Sequence, residues 1–124
     1  MIIGLDFDGT CVKHEYPQIG EDIGAIPVLK QLIQHGHLIV LNTMRSNTSL
    51  DEAVQWFKDN EIPLYGINYN PEQGSWTSSP KVYAHLYIDD AALGVPLVHP
   101  SSQNERPWVD WIQVEQLLKK ENLI

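Results

Sequence analysis

Residues 2–10, which read Ile-Ile-Gly-Leu-Asp-Phe-Asp-Gly-Thr, contain a short apolar run that ends in two aspartates. Such a run is typical of a buried strand, so Ile2 to Leu5 are predicted to form a central strand. Open α/β sheets bind their ligands at the carboxyl ends of the strands, where Asp6 and Asp8 stand. Two carboxylates this close repel each other and are costly to bury, and a bound Mg²⁺ would offset both effects. The stretch therefore predicts a magnesium site at a strand end, with one aspartate free for chemistry.

The composition is that of an ordinary globular chain of 124 residues, with 43% hydrophobic and 19% charged residues. This length suits a single domain, residues 1–124. The net charge of −8 argues against broad binding to nucleic acids or anionic membranes, which requires a basic surface. A nucleic-acid substrate is thus disfavoured rather than excluded. No apolar stretch approaches the length of a membrane span and no basic leader opens the chain, so a cytoplasmic location is expected.

The apolar pattern alternates strands with helices after an irregular segment at 11–24. A helix is predicted from Ala25 to a left-handed cap at Gly36, and Ser49 to Glu52 read as the capping box of the next helix. The remaining predictions are strands at 38–41, 64–67, 86–88 and 95–98, a long loop at 68–80, and a last helix at 108–120. This alternation predicts an α/β fold, a single Rossmann-like three-layer domain with a mostly parallel central sheet.

Polar side chains follow several of these strands. Because the carboxyl ends of parallel strands lie at one edge of a sheet, these side chains are expected to surround one cleft. Phosphoryl transfer requires a nucleophile, a proton donor, a divalent cation and further positive charge near the phosphoryl oxygens. The residues that could supply these parts are Asp6, Asp8, Thr43, Lys81, Asp89 and Asp90.

These motifs resemble those of the haloacid dehalogenase superfamily of phosphohydrolases. The family's first motif, Asp-x-Asp-x-Thr, matches residues 6–10, and a strand-end Thr, an upstream Lys and a late acidic pair follow in order as Thr43, Lys81 and residues 89–90. Phosphoacceptor receiver domains use similar residues, but their acidic pair comes first and their Lys comes last. The order in this chain therefore favours the phosphohydrolases.

The resemblance implies a Mg²⁺-dependent phosphatase that hydrolyses a phosphomonoester through an aspartyl-phosphate. Asp6 is implied to be the nucleophile and Asp8 the general acid and base. Thr43 and Lys81 are implied to bind the phosphoryl group.

The resemblance also implies the ligands of the metal. These are the carboxylate of Asp6, the backbone carbonyl of Asp8, the carboxylate of Asp89, and Asp90 acting directly or through water. The intervals between the motifs are too short to hold the cap domain of larger members, so a capless protein is expected. The lid could then be a large substrate, a second subunit of a homo-oligomer, or the loops at 11–24 and 68–80.

Several residues stay open at the level of sequence. Arg45 is a candidate substrate ligand or an exposed cation, and His14 is a candidate substrate ligand or a surface residue. Cys11 is interpreted as a packing residue, since acidic neighbours disfavour its thiolate. Trp76 could touch the substrate from the long loop. Two other functions also stay open: a phosphate- or metal-binding module with little turnover, and a phosphotransferase.

Overall fold

A computed structural model describes residues 1–124 and contains six strands and three α-helices. In chain order these are β1 (Ile2–Leu5), α1 (Ala25–Gln34), β2 (Leu38–Leu41), α2 (Asn47–Asp59), β3 (Gly66–Ile67), β4 (Leu86–Ile88), β5 (Leu97–Val98), β6 (Trp108–Val109) and α3 (Trp111–Lys120). A single 3₁₀ turn, Gln73–Ser75, lies between β3 and β4.

The first four strands form one parallel sheet in the order β3-β2-β1-β4. Strand β1 is central, since Ile3 pairs with Ile39 on one side and with Leu86 on the other. Strands β5 and β6 form a separate antiparallel ribbon. The α/β class and the mostly parallel central sheet are therefore confirmed.

The two faces of the sheet are covered differently. Alternate residues of a strand point to opposite faces, and Ile3 and Leu5 pack in the main core with residues from all three helices. On the other face, a Cβ at Gly4 would lie 2.7 Å from the Tyr87 ring, so only glycine fits there. That face is covered by Val82 and its neighbours in the irregular chain between β3 and β4. The three layers are thus helices, sheet and an irregular segment.

The buried amides of Asn70 and Gln73 stabilise this irregular segment. The side chain of Asn70 donates to the Tyr83 carbonyl, and that of Gln73 donates to the carbonyls of Ser79 and Lys81. Both amides are almost fully buried, so these bonds satisfy polar groups that would otherwise be costly to bury.

Two predicted helix starts are wrong. Helix α2 begins at Asn47 rather than Ser49, and the Ser49 hydroxyl donates to the Ser46 carbonyl instead of capping the helix. Helix α3 begins after Asp110, whose carboxylate accepts the first free backbone N–H groups, so residues 108–109 belong to β6. Strands β3 and β5 are also shorter than predicted.

The predicted start of α1 at Ala25 and the left-handed cap at Gly36, with φ of 84°, are confirmed. No helix of the chain is long and apolar enough to cross a membrane.

Candidate functional site

A cleft of about 510 Å³ opens at the carboxyl edge of the sheet, where β1, β2 and β4 end. We call it the acidic cleft, because its lining includes all four carboxylates that the sequence analysis singled out. The lining residues are Asp6, Asp8, His14, Tyr16, Thr43, Met44, Arg45, Asp89, Asp90, Ala91 and Arg106. The fold therefore brings together the predicted site residues that follow β1, β2 and β4, whereas Lys81 is absent from the lining.

Three of the carboxylates form a compact cluster within this cleft. Asp6, Asp89 and Asp90 each offer one oxygen, and these oxygens lie within 4.8 Å of one another. Burial of the Asp6 side chain, its hydrogen bond with Asp90 and the nearby charge of Asp89 raise the pKa of Asp6 to about 8. The cluster is thus electrostatically strained when all three groups are ionised without a cation.

Thr10 and His14 orient this cluster. The Thr10 hydroxyl donates to Asp6 Oδ2 at 2.8 Å and accepts the backbone N–H of Asp90 at 3.0 Å. The imidazole Nε2 of His14 lies 2.8 Å from Asp90 Oδ2. Gly9, with φ of 80°, allows this approach, because a Cβ there would overlap the His14 ring. His14 therefore lies in the cleft as a partner of Asp90, rather than on the open surface.

Asp8 points away from the cluster and pairs with Arg45. The guanidinium binds both carboxylate oxygens, through Nε to Oδ2 and Nη2 to Oδ1, each at 2.8 Å. This two-point geometry is the strong form of an arginine–carboxylate pair. The Asp8 hydrogen bond raises the pKa of Arg45 above its already high value. Both Asp8 oxygens therefore accept hydrogen bonds from Arg45 in this arrangement.

Arg45 also joins the cleft to residues 11–24, which we call the flap. Its remaining N–H groups donate to the carbonyls of Pro17, Gln18 and Ser49 at 2.9 to 3.1 Å. All five donors of the guanidinium are therefore used, and the residue is 3% exposed. The alternative of an exposed cation is thus wrong, and Arg45 has no donor left for a substrate in this arrangement.

Thr43 follows β2, and its hydroxyl group is available to donate a hydrogen bond. Its Oγ1 accepts the backbone N–H of Arg45 at 3.1 Å, and its own N–H is bound by the side chain of Asn68. A hydroxyl that already accepts one bond is oriented to donate its proton elsewhere. The half-exposed side chain lines the acidic cleft, where a phosphoryl oxygen could accept this proton.

Lys81 is the predicted residue that the fold leaves outside the acidic cleft. Its side chain is exposed and its ammonium lies 5.7 Å from the centre of the Tyr87 ring, with no carboxylate in ion-pair range. It lines a neighbouring cleft that shares Asp89 and Ala91 with the acidic cleft. Lys81 therefore reaches the cluster only if its flexible side chain turns toward Asp89.

Sequence reasoning missed three lining residues, Met44, Ala91 and Arg106. Met44 follows β2 and is almost fully exposed, while Arg106 comes from the loop between β5 and β6. The position of Met44 directly after Thr43 in the sequence is the feature from which its place in the cleft could be predicted. Nothing in the local sequence indicates that Arg106 lines the cleft, because the ribbon is joined to the cleft by the N–H of Val109, which donates to the Gly9 carbonyl.

Other candidates lie outside the site. Cys11 is fully buried, and burial together with the charge of Asp6 raises the pKa of its thiol, which confirms a packing role. Trp76 packs edge-on against Tyr83, which in turn contacts His85. His85 binds the backbone of Ile2 at the start of β1, so this aromatic group lies toward the opposite end of the strand from the cleft.

The cluster suits a small, hard cation. Octahedral Mg²⁺ with bonds of about 2.1 Å takes oxygen ligands about 3 to 4 Å apart. Oxygens of Asp6, Asp89 and Asp90 within 4.8 Å of one another come close to that spacing. The donor set is all carboxylate, and neither His nor Cys completes a zinc-type site with it. The residues present therefore fit Mg²⁺ as an expected occupant.

No family model and no curated protein matches this chain. A solved structure of a conserved protein coded by a locus of Bacteroides thetaiotaomicron is similar to it, with 35% sequence identity and a TM-score of 0.80. The alignment covers 98% of this chain and 91% of that chain. The likeness therefore extends over the whole sheet, the flap and the ribbon.

Proposed function

The chain belongs to the same family as this conserved Bacteroides thetaiotaomicron protein, and we propose that it is a Mg²⁺-dependent phosphatase of the haloacid dehalogenase type. The proposed reaction is hydrolysis of a phosphomonoester through an aspartyl-phosphate formed on Asp6. The single observation that carries the proposal is the cluster of Asp6, Asp89 and Asp90, with one oxygen of each within 4.8 Å of the others.

The cluster supports this function because its three carboxylates repel one another and line a cleft that a cation and a substrate could enter. Folding brings three carboxylates together, and the metal-free protein accommodates them by raising the pKa of Asp6 to about 8. A bound Mg²⁺ would remove the repulsion and neutralise the charge of an arriving phosphoryl group. Asp6 would then be ionised and aligned as a nucleophile, since Thr10 fixes one of its oxygens.

The chemical steps use residues of this chain. A carboxylate oxygen of Asp6 attacks phosphorus, and the bond from phosphorus to the leaving oxygen breaks. Thr43 donates a hydrogen bond to a phosphoryl oxygen. The leaving oxygen takes a proton from Asp8, which then accepts one from the water that hydrolyses the aspartyl-phosphate. The net reaction consumes one water and releases inorganic phosphate.

The role of Asp8 requires a local rearrangement. Both of its oxygens accept hydrogen bonds from Arg45 in this structure. An acid needs a proton on one of these oxygens, so the pair must loosen during turnover. The flap, which Arg45 binds through Pro17 and Gln18, is the element whose opening would allow this.

The direct test is hydrolysis of phenyl phosphate by the wild-type protein, with Mg²⁺ and after chelation. Phosphate release should require Mg²⁺ and should fall by at least about a thousandfold in Asp6→Asn, since the nucleophile is lost. Asp51→Asn is the matched control, because Asp51 is an exposed acid on α2. Release that survives both Asp6→Asn and chelation contradicts the proposal.

A second candidate, a module that binds metal and phosphate with little turnover, has an observation of its own. Asp8 is bound by Arg45, and Lys81 lies outside the acidic cleft. Two residues of the mechanism implied by the resemblance to phosphohydrolases are therefore not positioned for catalysis in this structure. Tight binding of Mg²⁺ and phosphate, without turnover over a broad panel of phosphoesters, would favour this candidate.

A further inference from the structure

Three side chains outside the recognised motifs form the mouth of the acidic cleft. Tyr16 comes from the flap, Met44 follows β2, and Arg106 lies in the loop between β5 and β6. We call these three residues the rim. The flap and this loop are joined by the ion pair of Lys13 with Glu105 at 3.6 Å. The rim is therefore assembled from three segments that are far apart in the chain.

The rim offers apolar surface where the rest of the cleft is acidic. Tyr16 is 63% exposed and Met44 is 98% exposed. The guanidinium of Arg45 lies 5.2 Å from the centre of the Tyr16 ring and supports it from the inside. Binding clefts combine such apolar surface with a few polar groups that fix orientation. The rim has this character.

Arg106 is the available cation of the acidic cleft. It is exposed and has no carboxylate within ion-pair range. In contrast, Arg45 uses all five donors, and Lys13 is shared between Glu21 and Glu105. A guanidinium with free donors binds carboxylates and phosphates in a two-point geometry.

Because the site is acidic, a cation at its edge would select substrates that carry a second anionic group. The chain carries a net charge of −8, and the cleft is lined by four carboxylates. A metal bound at the cluster would balance the phosphoryl group, but a second anionic group on the substrate would still be repelled. Arg106 is placed to bind that second group.

We propose that the rim binds the leaving group of the substrate, and that this leaving group has an aromatic or apolar body and a second anionic group that Arg106 recognises. The inference rests on the proposed phosphatase function and names its substrate class, a small organic phosphomonoester. A cleft of about 510 Å³ is in the range that holds a small molecule.

The test compares two ligands that are not hydrolysed, phenylphosphonate and 4-carboxyphenylphosphonate, by calorimetry in the presence of Mg²⁺. The wild-type protein should bind the carboxylated ligand about tenfold more tightly, as one charge-assisted contact provides. Arg106→Gln should reduce this preference to within about twofold, and Arg106→Lys should restore part of it. Lys120→Gln removes an exposed cation from α3 and should leave the preference unchanged.

Met44→Ala tests the apolar part of the rim. It should weaken binding of both aryl ligands by roughly threefold, with no effect on methylphosphonate, because it removes contact with the ring alone. Equal affinity of the wild-type protein for the two aryl ligands, failure to bind either, or a preference that survives Arg106→Gln overturns the inference.

Turnover of phenyl phosphate separates this inference from the proposed function. A protein that hydrolyses phenyl phosphate but shows no preference between the phosphonates keeps the phosphatase proposal and overturns the rim. A protein that shows the preference without turnover supports the rim and contradicts the phosphatase.

Discussion

Replacement of Arg45 by Met is the perturbation with the largest expected effect on stability. The Arg45 side chain is 1% exposed and that of Asp8 is 17% exposed, so the substitution leaves a largely buried carboxylate without its partner. Breaking a buried ion pair from one side costs about 3–5 kcal/mol. The carbonyls of Pro17, Gln18 and Ser49 also lose donors, although a loosened flap would admit water to them. We expect a total loss of about 3–5 kcal/mol.

Urea unfolding followed by circular dichroism measures this loss directly. Small domains have only about 5–15 kcal/mol of stability, so the midpoint should move by a large part of its value. Arg45→Lys keeps the charge but loses the planar fork, and we expect it to cost about half as much. A double-mutant cycle with Asp8→Asn should give a coupling of at least about 2 kcal/mol.

A loss of less than about 1 kcal/mol in the free energy of unfolding of Arg45→Met, or a cycle without coupling, would contradict this expectation. Either result would mean that Arg45 is exposed to water in solution and that the flap is not bound to it.

The pKa of Asp6 is raised from 3.8 to about 8 when no metal is bound, so the folded state holds this proton more tightly than the unfolded state. The resulting contribution to the free energy of unfolding is fully present below about pH 4 and is lost as the pH rises to about 8. Mg²⁺ should therefore bind more tightly as the pH rises toward 8, with release of about one proton at neutral pH, measurable by calorimetry in buffers of different ionisation enthalpy. In urea unfolding, Gly9→Ala should destabilise the protein by at least about 1 kcal/mol more than Gly94→Ala. Both positions have positive φ, but only at Gly9 would a Cβ meet His14 and Asp90. Equal losses of stability would contradict this packing around Gly9. Cys11 should resist iodoacetamide in the native protein and react in urea, and mass spectrometry that finds rapid native labelling would contradict its burial.

The carboxylate cluster could be located from the sequence because its members follow strands directly. Asp6 and Asp89 each end an apolar run, and a parallel sheet brings such ends to one edge. The positions of β1 and β4 were therefore enough to put Asp6, Asp89 and Asp90 together.

The environment of Asp8 could not be predicted in the same way. The burial of Arg45 depends in part on the flap, whose Pro17 and Gln18 carbonyls accept hydrogen bonds from it. The flap has no apolar period that fixes its path, so sequence reasoning left Arg45 open between a substrate ligand and an exposed cation. Burial of this kind depends on contacts between segments far apart in the chain.

The rim residues and the start of the last helix could not be predicted for a related reason. Trp108 continues the helical apolar spacing of α3, but its backbone pairs with Val98 in the antiparallel ribbon. The N–H of Val109, the next residue, donates to the Gly9 carbonyl, and this long-range contact brings the ribbon and Arg106 toward the cleft. The sequence signal for the true start of α3 is Asp110, a strong helix-capping residue two positions after Trp108.

In the proposed mechanism, Asp6 becomes phosphorylated during turnover. Borohydride reduces an aspartyl-phosphate to homoserine, so quenching the protein with borohydride during steady-state hydrolysis of phenyl phosphate marks the nucleophile for peptide mass spectrometry. We expect homoserine at position 6 alone, and we expect its formation to require both Mg²⁺ and substrate. Hydrolysis that proceeds without any reduced residue, or with the mark at Asp8, Asp89 or Asp90 instead, would contradict it.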